Sequence, residues 1–387
     1  MKGYKALSME MKAVNGNGMQ YEMDKLYSIK GELVPCLNGF HFCEFLEKLN
    51  AYYYITSSRI FEIEAGGKII KCDGKYVAEK IKLVRELTKE EIKDYFKQNQ
   101  EDFVKSNDWY IRQAVAGQGY GLDILINDAD YKIRSIVVKQ GYGLDILIHD
   151  KDHAVRKAVA KQGYGLDILI NDENWLVRKA VVKQGYGLDI LVHDKDFNVR
   201  KAVAEQGYGL DILINDKNWL VKKAVAKQRY GLDILVHDED CDVRIAVAEQ
   251  GYGLDILVKD EHWCVRAAVA EQGYGLEKLI NDEDCDVRIA VARQGYGLDR
   301  LIFDKNDQVR IAVAEQGYGL EKLINDENCD VRIAVARQSY GLDRLICDED
   351  WQVRCAVAEQ GYGLDTLIHD EDNDVRHTAL YMLNKEM

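Results

Sequence analysis

The chain has 387 residues, 47% hydrophobic and 30% charged, with 52 Lys+Arg set against 66 Asp+Glu. That composition can bury a large core, and no apolar run approaches the ~18 residues of a membrane helix, so a soluble chain is expected; MKGYKALSMEMK also lacks a signal-like apolar run, and the expected location is cytoplasmic. Residues 1–100 carry 16 basic and 14 acidic side chains, leaving 36 and 52 for the other 287, a net of −16 that repels phosphate backbones, disfavours nucleic acid as a partner and attracts a protein with a basic surface.

Residues 1–87 are not repetitive. Strand-like runs (YKAL, YEMDKLYSI, RIFEIEA, KIIKC) separated by Gly and Asn turns predict a small α+β domain. Cys36, His41, Cys43 and Cys72 invite a zinc reading, but C-x6-C is looser than the usual pairs, and Phe40 and Phe42 flanking His41 suit an ordinary strand. Neither metal nor cofactor is therefore expected. The nine cysteines are odd in number and scattered, which argues against a disulfide framework.

Cys36 to Cys43 (CLNGFHFC) and Arg59 to Ala65 (RIFEIEA) resemble an uncharacterised domain of bacterial and bacteriophage proteins, often set before repeat arrays. The order Gly39-Phe40-His41-Phe42, Tyr52 to Tyr54, Glu64 is also similar to ADP-ribosyltransferases, which implies a nicotinamide cofactor and an enzyme. Tyr4-Lys5-Ala6-Leu7 lacks the first-strand His or Arg such enzymes use.

Thr88-Lys89-Glu90-Glu91 forms a capping box and opens a polar linking helix over 88–105. From 106 to 387 an Arg recurs every 22 residues, from Arg112 to Arg376, interrupted by Lys222. Thirteen units follow, each burying its apolar face only against its neighbours. In the unit beginning at Asp128, Asp130 is an N-cap whose column holds Asp or Asn everywhere except His262. Ile133, Ile136 and Val137 mark a buried helical face, and Gln140-Gly141-Tyr142-Gly143 ends the helix. Leu144, Leu147 and Ile148 return to the core on a second element short enough to be a 3₁₀ turn. A longer helical finish, DNDVRHTALYMLNKEM, closes the array as a cap.

The pattern L-x-x-L-I-x-D-x-D-x-x-V-R-x-A-V-A resembles the HEAT-repeat signature and, more closely, the leucine-rich-repeat variant. That resemblance implies a right-handed α-solenoid of α plus 3₁₀ helix pairs, with the Asp128 and Arg134 columns pairing between successive units. The usual turn proline is replaced by Gly-Tyr-Gly. Gln140 and Tyr142 recur throughout, a pattern that fits a binding strip, although stacking of like side chains at each turn explains it as well.

Variable columns locate candidate contacts. The residue after the N-cap gives Trp109, Tyr131, Trp175, Phe197, Trp219, Trp263 and Trp351, an aromatic ridge of the kind enriched at interfaces. Packing against the adjoining unit is the competing role. One residue past the arginine column stand Lys157, Lys179, Lys201 and Lys223, then Ile245, Ala267, Ile289, Ile311 and Ile333, predicting a basic zone and an apolar one suited to self-association. His149, His193 and His237 lie two units apart, too far to share an ion. The expected function is a non-catalytic protein-binding scaffold or adaptor, and the phage-like domain implies a host-directed inhibitor acting by charge mimicry. The alternatives are an enzyme seated in residues 1–87 and a HEAT-like nucleic-acid binder.

Overall fold

The architecture is that of a computed structural model, which describes residues 1–13, 19–34, 38–52, 55, 58–72 and 75–386. They fall into two compact units, 1–191 and 192–387.

The first unit begins with five strands: β1 (Lys2–Leu7), β2 (Leu26–Ser28), β3 (Phe40–Phe42), β4 (Arg59–Cys72) and β5 (Lys75–Glu86). All pairings are antiparallel, in the order β1-β4-β5-β2, with β3 also on β5. Just beyond β3, Cys43 exchanges two backbone hydrogen bonds with Tyr4, at 2.7 and 2.9 Å, so the sheet curls back onto its first strand. Leu7, Phe40, Phe42, Phe61, Ile63, Ile81 and Leu83 fill the interior together with Tyr21 and Tyr27. Burying each such side chain contributes roughly 1.5–3 kcal/mol.

Lys5 is buried in this domain, with its Nζ donating to the His41 carbonyl at 2.8 Å and lying 5.2 Å from the Tyr21 ring centroid. Burial, with nearby Lys75, lowers its pKa to about 8 although Cys43 pulls the other way.

The capping box is present: the Glu91 N–H donates to Thr88 Oγ1 at 3.1 Å and the Thr88 N–H to Glu91 Oε2 at 2.8 Å. It starts α1 (Lys89–Gln98), which a short α2 (Gln100–Phe103) follows before the first repeat helix, α3 (Trp109–Gly117). A 3₁₀ turn at Leu46–Ala51 ties the sheet domain to α3, with Lys48 Nζ 2.7 Å from Asp108 Oδ2.

Each repeat pairs a nine-residue helix with a four-residue one, as in α3 with α4 (Leu122–Leu125) and α5 (Tyr131–Lys139) with α6 (Leu144–Leu147). Within each unit every long helix packs on the next, which makes the array an α-solenoid. Core positions are uniform: Val155, Val159, Val177, Val181, Val243 and Val247 are completely buried, with Leu147 and Leu169 beneath them. The last helix is the longest of the array, Asn373–Glu386.

Two expectations need correction. The short element is one α turn with tight ends: Leu147 N–H donates to Gly143 O at 2.9 Å and Ile148 N–H to Leu144 O at 3.0 Å, while the N–H groups of Ile146, His149 and Asp150 make i→i+3 bonds. A left-handed glycine ahead of it turns the chain into helical geometry. His262 is no departure from capping either, because its imidazole accepts from the Cys264 N–H at 3.4 Å.

Candidate protein-binding face

The arginine column is structural. Arg134 forks onto Asp150 of the following repeat, Nε to Oδ2 at 2.6 Å and Nη2 to Oδ1 at 2.8 Å, while Nη1 donates to the Asp128 carbonyl of its own repeat at 2.7 Å. Asp150 Oδ1 also accepts from the Asp152 N–H at 2.8 Å, fixing the loop that carries the next N-cap. The geometry recurs at Arg156 with Asp172 and, in the second unit, from Arg200 with Asp216 to Arg354 with Asp370; Lys222 substitutes one ammonium nitrogen, 2.6 Å from Asp238 Oδ2 and 2.8 Å from Oδ1. Burial alone would raise the Asp150 carboxyl pKa, but the Arg134 fork and the Asp152 N–H outweigh it and leave the value lowered. Such a ladder is occupied within the protein and is unavailable to a partner.

The glutamine column is also structural, since Gln140 Nε2 donates to the Gly117 carbonyl one repeat back at 3.0 Å and Gln294 to that of Glu271 at 3.2 Å. The tyrosines beside it stand outward. From Tyr142 to Tyr362 each is 40–43% exposed, and none of the ring pairs among the described residues joins two of them. On the short helix that follows, Ile124, Ile146, Ile168 and Ile190 in the first unit, and Ile212, Ile234 and Ile256 in the second, are 43–59% exposed. In the repeats that carry this isoleucine, an exposed carboxylate comes between it and the tyrosine, Asp145, Asp167 and Asp189 among them, and none of the ion pairs among the described residues uses it. Repeated Tyr-Asp-Ile thus gives a face that is both apolar and acidic.

Sequence reasoning took Leu144, Leu147 and Ile148 to the core and passed over the isoleucine column between them. A single helical turn buries only the side chains of one face, which leaves Asp145 and Ile146 exposed. From Lys278 onward the column changes to Lys278, Arg300, Lys322 and Arg344, a switch visible in the sequence.

The aromatic and lysine columns meet on one strip. They sit four residues apart on the same helix, and Lys179 Nζ lies 5.8 Å from the Trp175 ring centroid, Lys223 Nζ 5.6 Å from that of Trp219. Trp109 receives Lys132 of the next repeat at 5.3 Å. Trp109, Trp175, Phe197 and Trp219 are half-buried, whereas Tyr131, Trp263 and Trp351 are exposed. Lys201 approaches Glu205 at 3.6 Å, and Lys223 is 2.7 Å from Asp242. Burial first, then repulsion from Lys161, Lys183 and Lys179, lowers the pKa of Lys157. Of the apolar continuation, Ile245, Ile289 and Ile311 are half-buried and Ile333 belongs to the core at 9% exposure, so this column presents no open apolar stripe.

The amino-terminal candidates are dispersed. Glu64 faces Lys2 and Lys82 across the sheet and lines a cavity of about 280 Å³ with Tyr4, Glu44 and Glu62, of which His41 is not a lining residue. Burial, with Lys75 and Lys5 adding repulsion, lowers the His41 pKa to about 4. Tyr52 is covered by Lys75; Tyr53, Tyr54 and Cys36 lie outside the described residues. Cys43 is buried, which pushes its thiol up to about 12, and Cys72 is half-buried.

Residues 1–94 match the family model described as "Domain of unknown function (DUF7666)". A search of the curated proteins gives no match. Among solved structures the chain is similar to the X-ray structure of the Escherichia coli protein YibA, at 17% identity over 78% of this chain and 98% of that one; the TM-score is 0.18, and the likeness carries no argument here. No helix among the described residues is long and apolar enough to cross a membrane.

Proposed function

We propose that this chain is a non-catalytic scaffold that holds a protein partner with a basic surface along the short-helix side of its repeats. The observation that supports it is the recurrence, over six successive repeats from Tyr142 to Ile256, of an exposed Tyr-Asp-Ile set whose carboxylate is unused by the protein itself, alongside an arginine-aspartate ladder that consumes its own carboxylate column. Exposed apolar surface rimmed by one sign of charge marks an interaction site, and the acid excess of the array attracts a basic partner at long range. In this reading the match of residues 1–94 leaves the role of the sheet domain open to host-directed inhibition, in which the acidic face competes for a nucleic-acid-binding surface.

The test immobilises the full chain beside a variant carrying Asp145→Asn, Asp167→Asn and Asp189→Asn and challenges both with defined basic, neutral and acidic proteins across a salt series. Selective retention of basic proteins, weakening steeply as salt screens it and reduced in the variant, is the expected result. Equal retention by chain and variant rejects this face. A second reading, nucleic-acid binding, has one observation in its favour: the Lys157, Lys161, Lys179 and Lys183 cluster next to Trp175. Tight single-strand binding that is lost in Lys157→Glu/Lys179→Glu, and untouched by the aspartate changes, selects it.

A further inference from the structure

Resting on the scaffold reading above, we infer that the Tyr-Asp-Ile face takes a basic, proline-rich segment in the polyproline II conformation, one turn of the segment to each repeat. The first support is spacing. Successive turns of the array touch: the Gln140 side chain reaches the Gly117 carbonyl one repeat back. Packed helices lie roughly 8–10 Å apart. A polyproline II helix advances about 3.1 Å per residue with three residues per turn, so the same face returns about every 9 Å.

The alternatives fit less well. A β-strand covers the same distance in three residues, but its side chains alternate, so the third residue points the wrong way. An α-helix returns to the same face every 3.6 residues, about 5.4 Å, so one turn falls well short of the repeat and two turns, about 10.8 Å, overshoot it and drift out of step. A segment of about twelve residues in the polyproline form spans the four positions that Ile124, Ile146, Ile168 and Ile190 mark in the first unit.

The second support is chemistry. Each step offers a tyrosine about two-fifths exposed, an aliphatic side chain about half exposed, and an exposed carboxylate between them in sequence. Rigid pyrrolidine rings lose little entropy on docking against aromatic surface, which is how aromatic-lined grooves recognise proline-rich chains. The carboxylates Asp123, Asp145, Asp167 and Asp189 call for a cation at the same period, and arginine's planar fork suits them best. Because the aliphatic column gives way to Lys278, Arg300, Lys322 and Arg344, the segment belongs on the repeats before that change.

The experiment uses the full chain and three labelled peptides: four tandem Pro-Pro-Arg triplets, a peptide of identical composition with its arginines gathered at one end, and four tandem Ala-Ala-Arg triplets. Fluorescence anisotropy at physiological salt should show the periodic proline peptide binding at least about tenfold tighter than either control. Tyr142→Ala/Tyr164→Ala should lose about tenfold, and Asp145→Asn/Asp167→Asn, which keeps every ring, should lose affinity and flatten the salt dependence. Equal binding of all three peptides overturns the polyproline inference and leaves the scaffold reading standing. If none binds more tightly than a Pro-Pro-Glu control, the basic-partner reading falls, and this inference with it.

Discussion

The two glycines of each turn should respond differently to the same substitution. Gly163 and Gly165 both have positive φ, +75° and +58°, so an alanine at either meets the left-handed penalty of about 1–2 kcal/mol. A Cβ at Gly163 has only Gln184 Oε1 nearby, at 3.9 Å, whereas one at Gly165 falls 2.0 Å from Ile148 Cδ1 and 3.4 Å from its Cγ1. Relieving that overlap in a packed core costs a further 1–3 kcal/mol or so. Gly163→Ala should therefore lose about 1–2 kcal/mol and Gly165→Ala about 2–5. The chain already shows the asymmetry: Arg229 and Ser339 occupy the first position at φ +60° and +55°, whereas the second is glycine from Gly121 to Gly363. Urea unfolding followed by far-UV circular dichroism measures the difference, with hydrogen exchange of amides 155–170 as a local readout, since arrays open repeat by repeat. Ile148→Ala removes the clashing methyl, so its combination with Gly165→Ala should cost less than the two changes separately. Equal losses at both glycines, or strict additivity in that cycle, would refute the argument.

Arg244→Ala strands a buried Asp260 carboxylate that now holds a two-pronged contact, and should cost about 3–5 kcal/mol; Arg244→Lys, imitating Lys222, should cost nearer 1, and Lys222→Arg should stabilise, all read from thermal midpoints. Asp150, Asp282 and Asp326 of the ladder titrate below the ordinary aspartate value of about 3.9 in the folded chain, so their contribution is complete above that value and disappears as pH falls through the depressed folded pKa; unfolding midpoints should fall steeply below about pH 4 and hold steady from 5 to 7. Lys5 works in the opposite direction: with a folded pKa of about 8 the unfolded chain binds more protons between there and about 10.4, so stability rises with pH across that window. Lys5→Met should abolish that rise, and an unchanged slope would show that the burial of Lys5 is not felt.

How much of this was legible before folding differs from column to column. The arginine column at a strict interval was legible from the sequence, its pairing with the aspartate of the next repeat came from the likeness to the HEAT signature, and the pairs form as that likeness implies. N-caps were readable because local geometry needs only a short oxygen two residues before an orphan N–H. Exposure of the tyrosine and isoleucine columns was not, since a regular apolar column looks the same whether it points inward or outward. The meeting of tryptophan and lysine on one strip followed from helical spacing but was read as two separate features.

The sequence alone determined the module, its length, its caps, its glycine turn and its number of copies, because these depend on contacts within one repeat or with an identical neighbour. Only the tertiary structure decided which apolar columns face water, that β3 carries the chain back to β1, and that Lys5 is enclosed. Those outcomes depend on the direction in which each side chain leaves a packed element, and direction is set by the neighbours that arrive after the local structure has formed.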